Sequence, residues 1–247
     1  MSPNSYASRN DALFLRNTLN TQGRLNIPLI RKQEVHLENI SLLPYNLIKI
    51  NDKKHAASGI HFFIDDYRFE KVYRNPEQEF LKLKQYAFLF SPDFSLYEEM
   101  PLWKQIENVA KNRWCGAYWQ YKGAVVIPSV SWSSTLSFDF CFDGLEQGGV
   151  FALSPIGTNQ SKMAFMKGYD ELLKRKAPSC IICLGKTYKE MAGNILEIPY
   201  SRTSKIQTKL SISENNGIFL ASDIEAPFLP FKEFINIATT NQFQGDF

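Results

Sequence analysis

The stretch PLWKQIENVAKNRWCGAYWQYKGAVVIPSVSW, residues 101–132, decides the expected fold, because it joins a helical pattern to a short apolar run. Apolar side chains recur at helical spacing in its first part, as at Trp103, Ile106 and Val109. The run AVVIPSVSW (124–132) follows and ends in polar residues. This order is typical of parallel α/β folds, in which helices connect strands that are buried on both faces.

The same alternation recurs along the chain, where six short apolar runs begin at residues 60, 86, 124, 149, 180 and 195. Helical patterns over residues 75–85, 101–123 and 159–176 separate several of them. We therefore predict an α/β fold of mainly parallel strands alternating with helices. Two architectures remain open: a barrel-like sheet or partial barrel, and an open doubly wound sheet. The absence of G-x-G-x-x-G and G-x-x-x-x-G-K-[ST] loops favours the barrel-like one.

The domain organisation follows from where this pattern begins. Residues 1–45 are expected to form an irregular leader that packs on the body, with Asp11 capping a short helix over residues 12–19. Residues 46–247 are expected to form a single α/β domain, whose last part, beyond about residue 200, is an appended closing segment.

Composition and charge exclude several classes of protein. The sequence is 44% hydrophobic and 21% charged, which is typical of a globular chain. Its net charge of +3, from 28 basic and 25 acidic residues, does not support a nucleic-acid partner. No segment approaches the roughly 20 apolar residues that a membrane span needs, and the N-terminus has no signal pattern. We therefore expect a cytoplasmic protein with no membrane partner.

The sequence does not predict a metal site. The three histidines lack metal-binding spacing, and a C-x-x-C pair, Cys180 and Cys183, lies within an apolar run. Residues three apart in a strand point to opposite faces, so this pair is expected to pack in the core. The cofactor and the oligomeric state are left open.

Polar residues follow the apolar runs, at positions where the strands of a parallel sheet end. Ligands bind at the carboxyl ends of such strands. The predicted catalytic residues there are Asp65, Asp66 and Asp93. The predicted substrate-binding residues there are Tyr97, Trp132 and Ser154. A structural alternative exists for each set: an aspartate at such a place often forms a turn or helix cap, and a tryptophan often packs in the core.

The helix over residues 102–120 carries a further set of polar side chains. Gln105, Asn108 and Asn112 share one face, and Arg113 and Gln120 follow. Amides and a guanidinium suit hydrogen bonding to a base or a phosphate, so Arg113 and Gln120 are predicted to bind substrate. The alternative is a solvent-exposed polar face.

Several long motifs resemble an uncharacterised bacterial domain family that is associated with phages and with conjugative elements of Gram-positive bacteria. They are HFFIDDYRFE (61–70), FSPDFSLYEEMP (90–101), NRWCGAYWQYKGAVVIPSVSW (112–132), FCFDG (140–144) and GYDELLKRKAP (168–178). The resemblance spans about residues 55–185 and implies an intracellular protein that mobile elements often carry. It implies no particular activity.

Two functions remain open. The first is an enzyme that acts on a nucleotide, nucleoside or nucleic-acid-derived substrate through its strand-end carboxylates, where the association with mobile elements suggests the substrate. The second is a non-catalytic binding module that recognises a host or phage macromolecule. A deep pocket with perturbed carboxylates favours the enzyme, and an exposed apolar or basic patch favours the binding module.

Overall fold

The computed structural model describes residues 19–158 and 161–200. The helix expected over residues 12–19 lies outside these residues except for Leu19, and so does the closing segment expected beyond residue 200. The strands are β1 Thr21–Gln22, β2 Ile27–Pro28, β3 Leu42–Pro44, β4 Gly59–His61, β5 Phe88–Phe90, β6 Val126–Ile127, β7 Val150–Leu153, β8 Cys180–Leu184 and β9 Ile195–Ile198. The α-helices are α1 Lys71–Arg74, α2 Pro76–Leu83, α3 Leu102–Tyr121 and α4 Lys162–Lys176. Short 3₁₀ helices span Tyr45–Leu47, Lys53–His55, Asp66–Arg68 and Thr135–Asp139.

Two parallel sheets contain the six predicted apolar runs. One has the order β3-β4-β5-β6 and the other β7-β8-β9, and every neighbouring pair in them is parallel. A parallel bridge between Ser129 and Ala152 links them, with the amide of Val130 donating to the Ala152 carbonyl at 2.8 Å. The prediction of parallel strands alternating with helices is confirmed. Among the described residues no pairing joins β3 to β9, so the sheet forms no closed barrel. The strand order follows the chain, without the reversal of a doubly wound sheet.

Part of the expected leader has regular structure. Residues 21–28 form the antiparallel pair β1–β2, and residues 42–44 form the first strand of the larger sheet, with Leu42 paired to Gly59. A strand of three residues is too short to show an alternating pattern, and Pro44 at its end conceals it further.

The helices begin and end at residues with the chemistry of helix termini. Helix α2 begins at Pro76, whose missing N–H is not needed in a first turn, and Glu77 lies in that turn. Helix α4 ends before Ala177, which adopts a left-handed conformation at φ 42°. Ser161 occupies the N-cap position of α4, but its hydroxyl donates to the Thr158 carbonyl at 3.4 Å rather than capping a helix amide.

Helix α3 packs against residues of the larger sheet, and helix α4 packs against residues of the smaller one. Trp119 of α3 is fully buried and stacks on Phe62 with ring centroids 5.5 Å apart. Tyr169 of α4 is also fully buried, in a cluster with Phe151 of β7 and Ile181 of β8. These contacts hold the strands in register and fix where each of the following loops begins. In the part of the chain that the structure describes, no helix has the length and apolar character needed to cross a membrane.

Candidate functional site

The loops after β4 and β5 bring Asp66 and Asp93 close together. Asp66 begins a 3₁₀ helix, and its carboxylate accepts hydrogen bonds from the Ser95 amide at 3.0 Å and the Ser95 hydroxyl at 2.8 Å. Ser95 lies two residues after Asp93 in the same loop. The Ser131 hydroxyl, on the chain after β6, bonds to the Asp93 carboxyl. We call Asp66, Asp93, Ser95 and Ser131 the strand-end site.

The carboxyl group of Asp93 is the most perturbed acid in this site. Burial raises the pKa of Asp93 to about 7, and the nearby charge of Asp66 acts in the same direction. The Ser131 hydroxyl and the Arg113 guanidinium oppose this rise in pKa. Asp93 Oδ1 is inaccessible to solvent and has no hydrogen-bond partner among the described residues. A carboxyl group that titrates near neutral pH is suited to general acid–base chemistry.

Asp65 and Asp66 have different surroundings although they are adjacent. Burial raises the pKa of Asp66, and the two bonds from Ser95 partly offset that rise. Asp65 is exposed and pairs with Arg68, with Arg68 Nε 3.2 Å from Asp65 Oδ2. Of the two predicted acids, the structure therefore brings Asp66 next to Asp93 and leaves Asp65 in solvent.

Trp132 follows Ser131, is partly buried, and packs against α4 and the chain around Phe142. Its ring centroid lies 5.2 Å from that of Phe165 and 6.1 Å from that of Phe142. A Cβ added at Gly168 of α4 would overlap the Trp132 ring. These contacts hold the Trp132 ring against α4.

Replacing Gly168 by alanine is expected to destabilise the protein by about 1–3 kcal/mol, although alanine is the better helix former. The cause is the overlap with Trp132, so the penalty should disappear in a Trp132→Leu background. Urea unfolding of the wild type, both single variants and the double variant measures this coupling. Additive effects of the two substitutions would show that the Gly168–Trp132 contact does not limit the packing.

Two predicted binding residues, Ser154 and Tyr97, lie at strand ends and differ in what their side chains contact. The Ser154 hydroxyl donates to the Leu184 carbonyl at 2.7 Å and accepts from the Ile156 amide at 3.3 Å. These bonds connect the ends of β7 and β8. Tyr97 is exposed, and its backbone carbonyl accepts a bond from Gln105. Ser154 thus has a structural role, and the Tyr97 side chain faces solvent.

The amides of α3 are buried and bind the loops of the site. Gln105 Nε2 donates to the carbonyls of Tyr97 and Met100, and Asn108 Nδ2 donates to that of Ser95. Asn112 accepts from the Ser91 hydroxyl and donates to the Ser129 carbonyl. The expectation that this face is exposed to solvent is wrong. The helix instead positions the chain that carries Asp93.

Arg113 lies fully buried behind the site. Its guanidinium donates to Asn112 Oδ1 at 2.8 Å and to three backbone carbonyls, those of Ser129, Cys141 and Asp143, at 2.9, 2.8 and 3.1 Å. Burial lowers its pKa to about 10, so it stays charged at neutral pH. Most of the N–H groups of Arg113 are therefore used in hydrogen bonds within the protein. Its positive charge lowers the pKa of the nearby Asp93.

Gln120 binds the chain before β3. Its amide donates to the Arg31 carbonyl at 2.7 Å and to Gln33 Oε1 at 2.6 Å, and it accepts from the Arg31 amide. Twelve residues of helix separate it from Asn108, which contacts the Asp93 loop, and that corresponds to about 18 Å. The structure therefore does not bring Gln120 to the strand-end site.

Sequence reasoning missed Ser95 and Tyr200. Burial raises the pKa of Tyr200, the charge of Asp65 raises it further, and the charge of Arg68 lowers it. Tyr200 directly follows the last apolar run, and the same reasoning that selected Ser154 would have selected it. Within residues 19–158 and 161–200, no cluster of three or more His, Cys, Asp or Glu side chains is arranged to hold a metal ion.

Comparisons with known proteins place the chain among phage proteins. It is similar to the Gene 1 protein of Mycobacterium phage D29, at 38% identity over 185 residues, covering 71% of this chain and 66% of that protein. It is also similar to the Gene 1 protein of Mycobacterium phage L5, at 38% identity over 180 residues, covering 71% of this chain and 78% of that protein. This chain thus spans slightly less than two thirds of the D29 protein. No solved structure matches it. Residues 19–201 match the family model described as a domain of unknown function, DUF4417, and the chain belongs to that family.

Proposed function

We propose that the chain is an enzyme in which Asp93 acts as general acid–base on a small nucleotide- or nucleoside-like substrate at the carboxyl ends of the strands. One observation carries this proposal: burial and the nearby charge of Asp66 raise the pKa of the Asp93 carboxyl to about 7, in a residue that stays partly exposed at the strand ends. An acid of that strength can both give and take a proton near neutral pH. The phage relatives supply the analogy for the substrate class.

The proposal includes a partial barrel, because curvature would bring the strand ends around one mouth. Two features support it. Side chains of β7, β8 and β9 belong to the same buried cluster as those of β3, β4 and β5. The charges of Asp65 and Arg68, after β4, affect the pKa of Tyr200, after β9. In a flat sheet those strands would lie about 24 Å apart, which is too far for such an effect.

Each residue of the strand-end site has a distinct part in the proposed chemistry. Asp93 transfers the proton, and the Ser131 hydroxyl orients its carboxyl group. The charge of Asp66 helps to keep Asp93 protonated up to neutral pH, and Ser95 holds Asp66 in place. All four cysteines are buried and unbridged, which suits the reducing cytoplasm that we propose as the location.

The test compares Asp93→Asn with Asp65→Asn at pH 7. A thermal-shift screen with nucleotides and nucleosides first identifies a stabilising compound, and its turnover is then followed by chromatography. Loss of a general acid–base should lower the rate of Asp93→Asn by about 10²–10⁴-fold. Asp65→Asn, which alters only an exposed ion pair, should retain the wild-type rate. Equal turnover by both variants would remove Asp93 from catalysis.

A second candidate function, a binding module for a macromolecule, is favoured by the exposed side chains of the same loops. Large apolar residues stand in solvent after β4, β5, β6 and β7, namely Tyr67, Tyr97, Leu102, Trp103, Leu136, Ile156 and Met163. Such residues grouped near one edge of a sheet favour a docking face. In that case Trp103→Ala would reduce partner binding, and Asp93→Asn would leave it unchanged.

A further inference from the structure

A cavity lies at the carboxyl ends of β3 and β4. Its volume is about 250 Å³, and it is lined by Tyr45, Asn46, Ile48, Arg68, Lys71, Glu79 and Lys82. Tyr45 and Asn46 directly follow β3, and Arg68 and Lys71 belong to the chain that follows β4. The cavity therefore occupies the edge of a parallel sheet at which ligands usually bind.

The charge of the cavity wall is positive. Arg68, Lys71 and Lys82 contribute three cationic groups, and Glu79 contributes one carboxylate. That carboxylate is already engaged, because Lys82 Nζ lies 2.9 and 3.0 Å from its two oxygens and the Tyr45 hydroxyl donates to it at 2.5 Å. Glu79 thus offsets the charge of Lys82, and Asp65 pairs with Arg68, so the charge of Lys71 is the one of these three that no ion pair of the described residues offsets.

Lys71 and Arg68 retain donors for a ligand. Lys71 Nζ lies 5.5 Å from the Tyr45 ring centroid, and no carboxylate of the described residues lies within ion-pair distance of it. Arg68 bonds Asp65 through Nε, and in the described part of the chain its Nη groups have no hydrogen-bond partner. Two cationic side chains on neighbouring turns, Lys71 with its charge unpaired and Arg68 with its Nη donors free among the described residues, therefore face one cavity and can bind a phosphate monoester, whose charge is about −1.5 to −2.

An unpartnered oxygen gives the cavity a second point of recognition. Asn46 Oδ1 is inaccessible to water and accepts no hydrogen bond from the described residues. A hydroxyl group of a ligand would satisfy it once the Asn46 side chain turns toward the cavity that it lines, because a buried acceptor without a donor costs free energy. The volume of about 250 Å³ is large enough for a small phosphorylated compound.

We propose that this cavity binds the phosphate monoester of a small hydroxylated compound, with Lys71 and Arg68 on the phosphate and Asn46 on a hydroxyl group. Lys82, Glu79 and Tyr45 form the wall that holds Lys71 in place. Binding here does not require Asp93 to be a catalyst, so the two proposals can fail separately.

Isothermal titration calorimetry of the full chain with ribose 5-phosphate, inorganic phosphate and ribose tests the proposal. Ribose 5-phosphate should bind at least tenfold more tightly than inorganic phosphate, and ribose should not bind. Lys71→Gln and Arg68→Gln should each weaken ribose 5-phosphate binding by about 10–100-fold, the effect of losing a charged hydrogen bond. Asp93→Asn should bind it as the wild type does.

Lys122→Gln is a matched control for Lys71→Gln. Lys122 Nζ also lies 5.5 Å from a tyrosine ring, that of Tyr118, and it lies at the C-terminal end of α3, outside the cavity. Lys122→Gln should bind ribose 5-phosphate as the wild type does. This control separates the effect of a lost contact in the cavity from the effect of losing one unit of net charge. The proposal is overturned if Lys71→Gln binds ribose 5-phosphate as the wild type does, or if both lysine variants bind it equally weakly. It is also overturned if the wild type binds inorganic phosphate more tightly than ribose 5-phosphate, or does not bind ribose 5-phosphate.

Discussion

At pH 8 the Asp93→Asn variant is expected to be more stable than the wild type by about 3 kcal/mol. Burial raises the pKa of Asp93 from 3.8 to about 7, so ionising this group is far more costly in the folded chain than in the unfolded one. Each pKa unit corresponds to 1.36 kcal/mol, which sets an upper limit of about 4 kcal/mol. Partial exposure of the residue lowers that limit. Asparagine has nearly the same shape and carries no charge to bury.

The gain should depend on pH in a defined way. Below pH 3.8 Asp93 is protonated in both the folded and the unfolded chain, and the two proteins should be equally stable. Between pH 3.8 and about 7 the unfolded chain has lost this proton and the folded chain keeps it, so wild-type stability falls relative to the variant by up to about 1.4 kcal/mol per pH unit. Above about pH 7 the difference should stay constant.

Urea unfolding at pH 4, 6 and 8 measures this difference, because the other titrating groups are common to both proteins and their effects largely cancel. Asp65→Asn is the control, since Asp65 is exposed and should give no pH-dependent gain. A difference of the same size at pH 4 and pH 8 would mean that the Asp93 pKa is not raised. An unusual pKa maintained at a cost in stability is typical of a functional site.

Arg113→Met is expected to lower the free energy of unfolding by about 4 kcal/mol. The substitution removes the donors to Asn112, Ser129, Cys141 and Asp143 and leaves several acceptors buried without partners. Each acceptor left without a donor lowers the free energy of unfolding by about 1–3 kcal/mol. Part of this loss is recovered where the chain rearranges so that water reaches the acceptor. The residue is only 1% exposed, so water cannot replace the guanidinium without local rearrangement.

Arg74→Met is the matched control for Arg113→Met. Arg74 pairs with Glu70 at 2.8 Å, but its side chain is 69% exposed, so its loss should cost less than about 0.5 kcal/mol. Denaturant unfolding at pH 7 measures both variants. Where Arg113→Met fails to fold, Arg113→Lys provides the measurement, since lysine keeps the charge but cannot make all four bonds. Arg113→Lys as stable as the wild type would contradict the anchoring role.

Local pattern predicted the strands in the six apolar runs and the class of parallel α/β fold, but not the strands β1, β2 and β3. Each of the six apolar runs contains a parallel strand, and helix α3 spans Leu102–Tyr121, close to the predicted 102–120. The helical pattern predicted over residues 75–85 contains α2, Pro76–Leu83. These features depend on neighbours within a few positions, because backbone hydrogen bonding and apolar periodicity are properties of short segments.

The position of the strand-end carboxylates was partly determined by sequence. Runs that end in polar residues place Asp65, Asp66 and Asp93 at the same edge of a parallel sheet, whichever helices connect the strands. Because successive side chains of a strand point to opposite faces, the sequence also indicates that the side chains of Asp65 and Asp66 point in different directions. It does not say which of them meets Asp93, since that depends on Ser95 in the next loop.

Only the tertiary structure decided what the polar side chains contact. The sequence places Gln105, Asn108 and Asn112 on one helix face, and both a ligand and solvent would satisfy them equally well. The folded chain instead surrounds that face with loop carbonyls, and it places Arg113 among the carbonyls of residues distant in sequence. A polar group takes whichever partner folding brings within about 3 Å, and that choice is made by the packing of whole elements rather than by the local sequence.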